Sequence, residues 1–142
     1  MQNIIELLVV YAFSFSGVPY KYGGNNPISG FDCSGYVSEL LKAAGFLPHS
    51  VDLSAQEIYS LMSTPGIGSV LAKPQAGAIA FYGTKDKIKH VAFCVSEKSI
   101  AEAAGGDETT LTKEDALLRN AFVKMRPYRY RKDFLAVIMP RY

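Results

Sequence analysis

The sequence predicts an α+β fold in which N-terminal helices pack on a C-terminal antiparallel β-sheet. Apolar residues recur at helical spacing through the first part of the chain. After Pro65 and a Gly-rich turn the pattern changes to short apolar runs typical of strands: AIAFYG, HVAFCVS, SIAEAA, FVKMRPYRY and FLAVIMPRY. Helices and strands grouped in separate runs favour an antiparallel sheet over alternating βαβ units. The composition, 49% hydrophobic and 20% charged over 142 residues, is enough for one buried core, so a single domain over 1–142 is expected.

The first element is an amphipathic helix over about residues 2–16, where Ile4, Ile5, Leu8, Ala12 and Phe15 share a face. The stretch is apolar, but it has no basic leading region and carries Glu6 inside, so it reads as a core helix and not as a signal peptide. No segment is long enough to span a membrane. The next segment, GVPYKYGGNNPISGFD, is dense in Gly, Pro and Asn and reads as a loop. CSGYVSELLKAAG follows, with Tyr36, Val37, Leu40, Leu41 and Ala44 on one helical face and Gly45 placed to end the helix. A third helix opens at Ser54, which has capping-box spacing to Glu57, with Ile58, Leu61 and Met62 as its apolar face.

A net charge of +2 is too small to argue for nucleic acid as the main partner. Lys124, Arg126, Arg129, Arg131, Lys132 and Arg141 cluster near the C-terminus. The preferred reading is a solvated strand face, and the alternative is a contact with an anionic surface. Two cysteines and two histidines without metal-ligand spacing predict no metal and no cofactor, and a Cys33–Cys94 disulfide is not expected.

The chemistry centres on Cys33. A thiol attacks a carbonyl as thiolate, and a helix N-terminus beside an imidazolium favours that anion. Cys33 starts a helix, Asp32 can cap it, and Gly35 is read as leaving room for a substrate backbone. The free N–H groups of the first turn, that of Cys33 included, are natural donors to a developing oxyanion. Of the two candidate bases, His49 lies in the loop LPHSVD and reads as solvated, whereas His90 opens the strand HVAFCV, a rigid position. HVAFCV and SIAEAA are separated by a short turn and should pair as a hairpin. An odd-length turn puts His90 and Glu102 on one face, directly opposite or on the diagonal, where the carboxylate can hold one imidazole nitrogen and leave the other for the thiol. Cys94 lies deeper in the apolar run and reads as core.

The motifs GVPYKYGG, FDCSGYV, SAQEIY, AGAIAFYG and HVAFCVSEKSIAEAAGG, in this order from about Gly17 to Gly106, resemble the NlpC/P60 family of papain-like cysteine peptidases. The resemblance implies hydrolysis of peptide bonds in bacterial peptidoglycan stem peptides, commonly the bond between D-glutamate and a diamino acid. It makes Cys33 the nucleophile, His90 the base and Glu102 the residue that orients the base. It also places Tyr20 beside the nucleophile, and Asp32 and Ser34 where some members hold a free N-terminal amine of the substrate. The chain departs from the family in having Glu102 where a histidine is more typical, and Asp52 ahead of SAQ where a basic residue is common.

The expected partner is therefore a stem peptide or muropeptide, with no nucleic acid and no membrane. The absence of an export signal points to a cytoplasmic enzyme, or to a phage-encoded one delivered to the wall by another route. A papain-like amidase or acyltransferase shares the same thioester chemistry, and a catalytically silent binding module shares the same scaffold.

Overall fold

The computed structural model describes residues 2–142. Helix α1 runs from Gln2 to Ser14 and buries Leu8 and Ala12, with Phe15 just past its end. The helix ends two residues earlier than predicted. The turn-rich segment that follows is not plain loop, because Asn25–Asn26 (β1) and Gly30–Phe31 (β2) pair as a small antiparallel ribbon.

Helix α2, Cys33–Ala43, buries Tyr36, Val37, Leu40 and Leu41. It stops because Gly45 adopts φ +75°, a left-handed conformation that a side chain disfavours. Helix α3, Ala55–Met62, starts at the expected capping box: the Ser54 hydroxyl accepts from the Glu57 N–H, and the Glu57 carboxylate accepts from the Ser54 N–H. Ile58 and Met62 anchor it in the core.

Six strands follow: β3 Gly68–Leu71, β4 Ile79–Thr84, β5 Lys87–Cys94, β6 Ser99–Ala104, β7 Phe122–Pro127 and β8 Phe134–Pro140. They form one antiparallel sheet in the order β3-β8-β4-β5-β6-β7. Helix α4, Lys113–Arg119, lies between β6 and β7, and a 3-10 turn, Tyr128–Tyr130, follows β7.

The predicted order of helices first and strands after therefore needs two corrections, since the β1–β2 ribbon precedes α2 and α4 interrupts the later strands. Its signal was present in a second capping box, Thr112 with Asp115. The helix exposes Leu117 and Leu118 and buries only Ala116, so it has no apolar stripe from which to read it. The edge strand β3 was also unforeseen, being four residues long with two exposed positions.

The main core lies between the helices and one sheet face. Phe15, Phe31 and Tyr36 meet edge to face there, and Val37, Leu40 and Leu41 of α2 join Phe81, Val91, Phe93, Ala101 and Ala103 of the strands. The Tyr36 hydroxyl donates to the Ala12 carbonyl at 2.9 Å, which fixes α1 to α2. On the opposite sheet face Ala80, Tyr82, Ala92, Cys94 and Ile100 form a second layer, covered by Tyr128, Tyr130 and Phe134. No described helix is long and apolar enough to cross a membrane.

Candidate active site

Helix α2 brings Cys33 to its first turn, and Asp32 holds that turn in place. One Asp32 carboxylate oxygen accepts from the Gly35 N–H at 2.7 Å and the Ser34 hydroxyl at 3.1 Å, while the other accepts from the Gly23 N–H at 3.1 Å. The Asp32 carbonyl takes the Tyr36 N–H. The first-turn donors left at the thiol are then the N–H groups of Cys33 and Ser34.

Gly35 has a part beyond the one expected. It borders the cavity beside Asp32 and Ser34, and a Cβ there would lie 2.0 Å from the Gly24 carbonyl oxygen, so the residue is small also to let the segment ahead of β1 close on the helix.

His90 lies within β5, three residues after the strand begins, and is 5% exposed. Tyr82 pairs with His90 and Gly83 with Ile88, which leaves Lys89 as an unpaired bulge. The bulge reverses side-chain alternation, so Ile88 joins the helix-side core while His90 faces the side of Tyr82.

The β5–β6 ladder consists of two pairs, Phe93 with Ala101 and Cys94 with Ile100. Extending that register places Glu102 across from Ala92, with His90 on the diagonal. The odd turn and shared face match expectation, and the diagonal is the alternative the molecule uses. The two side chains span it, with His90 Nε2 2.5 Å from Glu102 Oε1. Cys33 acts electrostatically on the same imidazole, whose Nε2 is taken by Glu102.

Glu102 is fully buried and surrounded by donors: His90, the Arg126 Nε at 2.6 Å on Oε2, and the Tyr130 hydroxyl at 2.9 Å on Oε1. Burial alone would raise its pKa, but the hydrogen bonds and charges of His90 and Arg126 outweigh that and hold it below the ordinary carboxylate value. Burial pulls His90 down, yet hydrogen bonds and charges from Cys33 and Glu102 bring it up to about 9. The imidazole is therefore held in its protonated form at neutral pH.

Tyr20 is brought beside Cys33 and Asp32. Burial chiefly, then the charges of those two residues and of Asp107, raise its phenol pKa. Its ring packs on Gly106, where a Cβ would sit 2.2 Å from it. Asp32 and Ser34 line a cavity of about 260 Å³ next to α2, together with Gly24, Ser38, Asp52 and Ser54. Ser38 is 2% exposed and its hydroxyl has no partner among the described residues. Asp52 on the rim accepts from Lys42 at 3.1 Å and from Asn25 at 3.3 Å.

His49 is exposed and distant in role, as predicted, and Cys94 is wholly buried, its thiol pushed up to about 12 by burial. Both cysteines are free thiols. The sequence reading missed Arg126, Tyr130 and Ser38. Arg126 had been grouped with a solvated basic face. It is instead half-buried against Glu102, and Arg131 is likewise paired, with Asp133. No group of residues that could hold a metal occurs among the described residues.

Helices packed on an antiparallel sheet, with a thiol at the start of one helix and an imidazole and a carboxylate on the strands, place the chain in the α+β class. The chain belongs to the NlpC/P60 family, whose family model matches residues 17–126. It is 36% identical over 81 residues to the bifunctional muramidase/DL-endopeptidase CwlT of Bacillus subtilis (strain 168), a match that covers 57% of this chain and 22% of that protein. The chain thus spans well under half the length of this relative.

Among solved structures it is similar to the NlpC/p60 domain of the peptidoglycan hydrolase SagA, with a TM-score of 0.63, 19% identity, and coverage of 92% of this chain and 94% of that one. It is also similar to an NLP/P60 family protein, described as similar to lipoprotein, from Staphylococcus aureus subsp. aureus Mu50, with a TM-score of 0.69, 19% identity, and coverage of 100% and 43%. At these identities the structural likeness speaks for the fold.

Proposed function

We propose that the chain is a single-domain cysteine peptidase that hydrolyses peptidoglycan stem peptides at the bond between D-glutamate and a diamino acid. The observation that carries this reading is the contact series from Cys33 through His90 to Glu102, in which each group is oriented by the next. Family membership and the names of CwlT and SagA, a DL-endopeptidase and a peptidoglycan hydrolase, support the substrate class.

In the proposed reaction the Cys33 thiolate attacks the scissile carbonyl, and the oxyanion that develops accepts from the N–H groups of Cys33 and Ser34. His90 gives its proton to the departing amine, which leaves a thioester on Cys33. Neutral His90 then takes a proton from water as the water attacks the thioester, and the acid is released with the thiol restored. Glu102 holds Nε2 throughout, which leaves Nδ1 for the sulfur.

Tyr20 walls the cleft, and the cavity beside Asp32 and Ser34 takes the amine-terminal part of the peptide. The three hydrogen bonds already accepted by Asp32 leave it about one further acceptor site, enough for one bond from an ammonium group.

The experiment is mass spectrometry of purified stem peptides incubated with the wild type and with Cys33→Ala. Fragments cut beside the diamino acid by the wild type alone are the expected result. No cleavage by either protein, with Cys33 still alkylated readily, would overturn the peptidase reading in favour of an amidase or acyltransferase.

A further inference from the structure

Glu102 is completely buried, yet it touches more than the imidazole it orients. In the β6–β7 register its direct cross-strand partner is Lys124, and Arg126 sits opposite Ile100, on the diagonal. The lysine is nevertheless turned away: its ammonium donates to the Asn120 carbonyl at 2.8 Å and lies 4.3 Å from the centre of the Phe122 ring. The diagonal arginine makes the contact, its Nε 2.6 Å from Oε2. The guanidinium is stacked on the Tyr130 ring at 3.7 Å, and the Tyr130 hydroxyl reaches the other carboxylate oxygen at 2.9 Å. One aromatic side chain therefore fixes both the arginine and the carboxylate.

We propose that Arg126, held by Tyr130, is a positioning residue that balances the charge of the Cys33–His90–Glu102 series and so sets the pH range in which Cys33 is reactive. The inference rests on the proposed role of Cys33 as nucleophile. In the reactive state the groups alternate in sign: thiolate, imidazolium, carboxylate, guanidinium. Without the guanidinium the buried series carries one net negative charge, which makes the thiolate harder to form and the imidazolium harder to discharge. The rise of Cys33 reactivity with pH then moves to higher pH.

Among the described residues, the other ionisable groups around Glu102 leave Arg126 as its one directly bonded fixed cation. Tyr82 of β4 donates its hydroxyl to the Tyr128 carbonyl. Arg131, after the 3-10 turn, is held by both Asp133 carboxylate oxygens. Lys124 is committed to Asn120, and His90 belongs to the series itself.

The test is the rate of Cys33 alkylation by iodoacetamide from pH 5 to 10 in the full chain, which needs no peptide substrate. Arg126→Met should shift the whole profile upward by about 1 pH unit, read as a roughly tenfold slower reaction on the acid side. Arg126→Lys should return the profile close to its original place on the pH axis, even with a lower maximum. Lys132→Met, which removes an exposed charge, should leave the profile in place.

If Arg126→Met does not fold, Tyr130→Phe provides the second measurement, with a smaller shift in the same direction expected. A slower plateau with an unshifted rise in Arg126→Met, or in Tyr130→Phe where that variant stands in, would reduce the arginine to a structural prop and overturn the inference. If wild-type Cys33 reacts no faster than Cys94, the proposed function fails first and the inference falls with it.

Discussion

The imidazole of His90 and the carboxylate of Glu102 meet on the diagonal of a hairpin whose ladder holds only two residue pairs, Phe93 with Ala101 and Cys94 with Ile100. The short ladder matters because α2 packs across β5 and β6, and its N-terminal thiol reaches the imidazole where the pairing has ended.

The first prediction concerns pH and stability. The folded-state pKa of His90 is raised from 6.5 to about 9. Its contribution to stability is therefore complete below about pH 6.5 and is lost as pH rises through about 9. Denaturant unfolding should show stability falling over that window by something of order 2–3 kcal/mol. Glu102→Gln should be less stable at pH 7 and should show a flatter decline, because an amide cannot hold the imidazolium in the same way. An unchanged slope in the variant would mean that Glu102 is not what keeps His90 charged.

The two cysteines should separate cleanly on alkylation. Cys94 is fully buried and its thiol is pushed up to about 12. Peptide mapping after brief treatment at neutral pH should find label on Cys33 alone, and Cys33→Ala should remain unlabelled. Label on Cys94 at a comparable rate would contradict the buried position of β5's last residue.

Asp32 has two separable duties. Asp32→Ala removes the cap of α2 and the hold on Gly23, and should cost about 1–2 kcal/mol in thermal or denaturant unfolding. Asp32→Asn keeps an oxygen for the cap and should recover most of that stability. If the carboxylate also receives a substrate ammonium, the asparagine variant should bind and cleave stem peptides poorly, with KM raised more than kcat is lowered. Equal activity in Asp32→Asn would confine the residue to its structural duty.

Gly35 and Gly45 should respond to alanine for different reasons. At Gly35 the new methyl meets the Gly24 carbonyl oxygen at 2.0 Å, so the segment ahead of β1 must move away from α2. A loss of about 1–3 kcal/mol is expected, with slower Cys33 alkylation because the helix start shifts. At Gly45 no heavy atom lies within 4 Å of the added methyl, and only the positive φ is penalised. There the loss should be about 1 kcal/mol with reactivity unchanged. Equal losses of reactivity at the two positions would break the link between loop closure and the thiol.

Much of the fold was legible because its signals are local. Capping-box spacing at Ser54, helical periodicity around Tyr36 to Leu41, and the short apolar runs of β4, β5 and β6 each depend on neighbours within a few residues. Helix α4 was missed because it lies on the surface and buries almost nothing, so periodicity had no core face to report. The tight neighbour of Gly35 was not legible, since the carbonyl it makes room for comes from a segment eleven residues earlier in the chain.

By itself the sequence determined which residues are candidates for the chemistry and roughly where each sits: a thiol opening a helix, and an imidazole and a carboxylate at matching parity on adjacent strands. Parity follows from the two-residue period of a strand, so it can be read from spacing alone. The tertiary structure decided whether those side chains meet opposite or diagonally, through the register of β5 on β6. It also decided that Arg126, and not its neighbour Lys124, reaches the buried carboxylate. Register, bulges and the choice between two cations depend on packing between segments far apart in the chain, and no local pattern of residues encodes that packing.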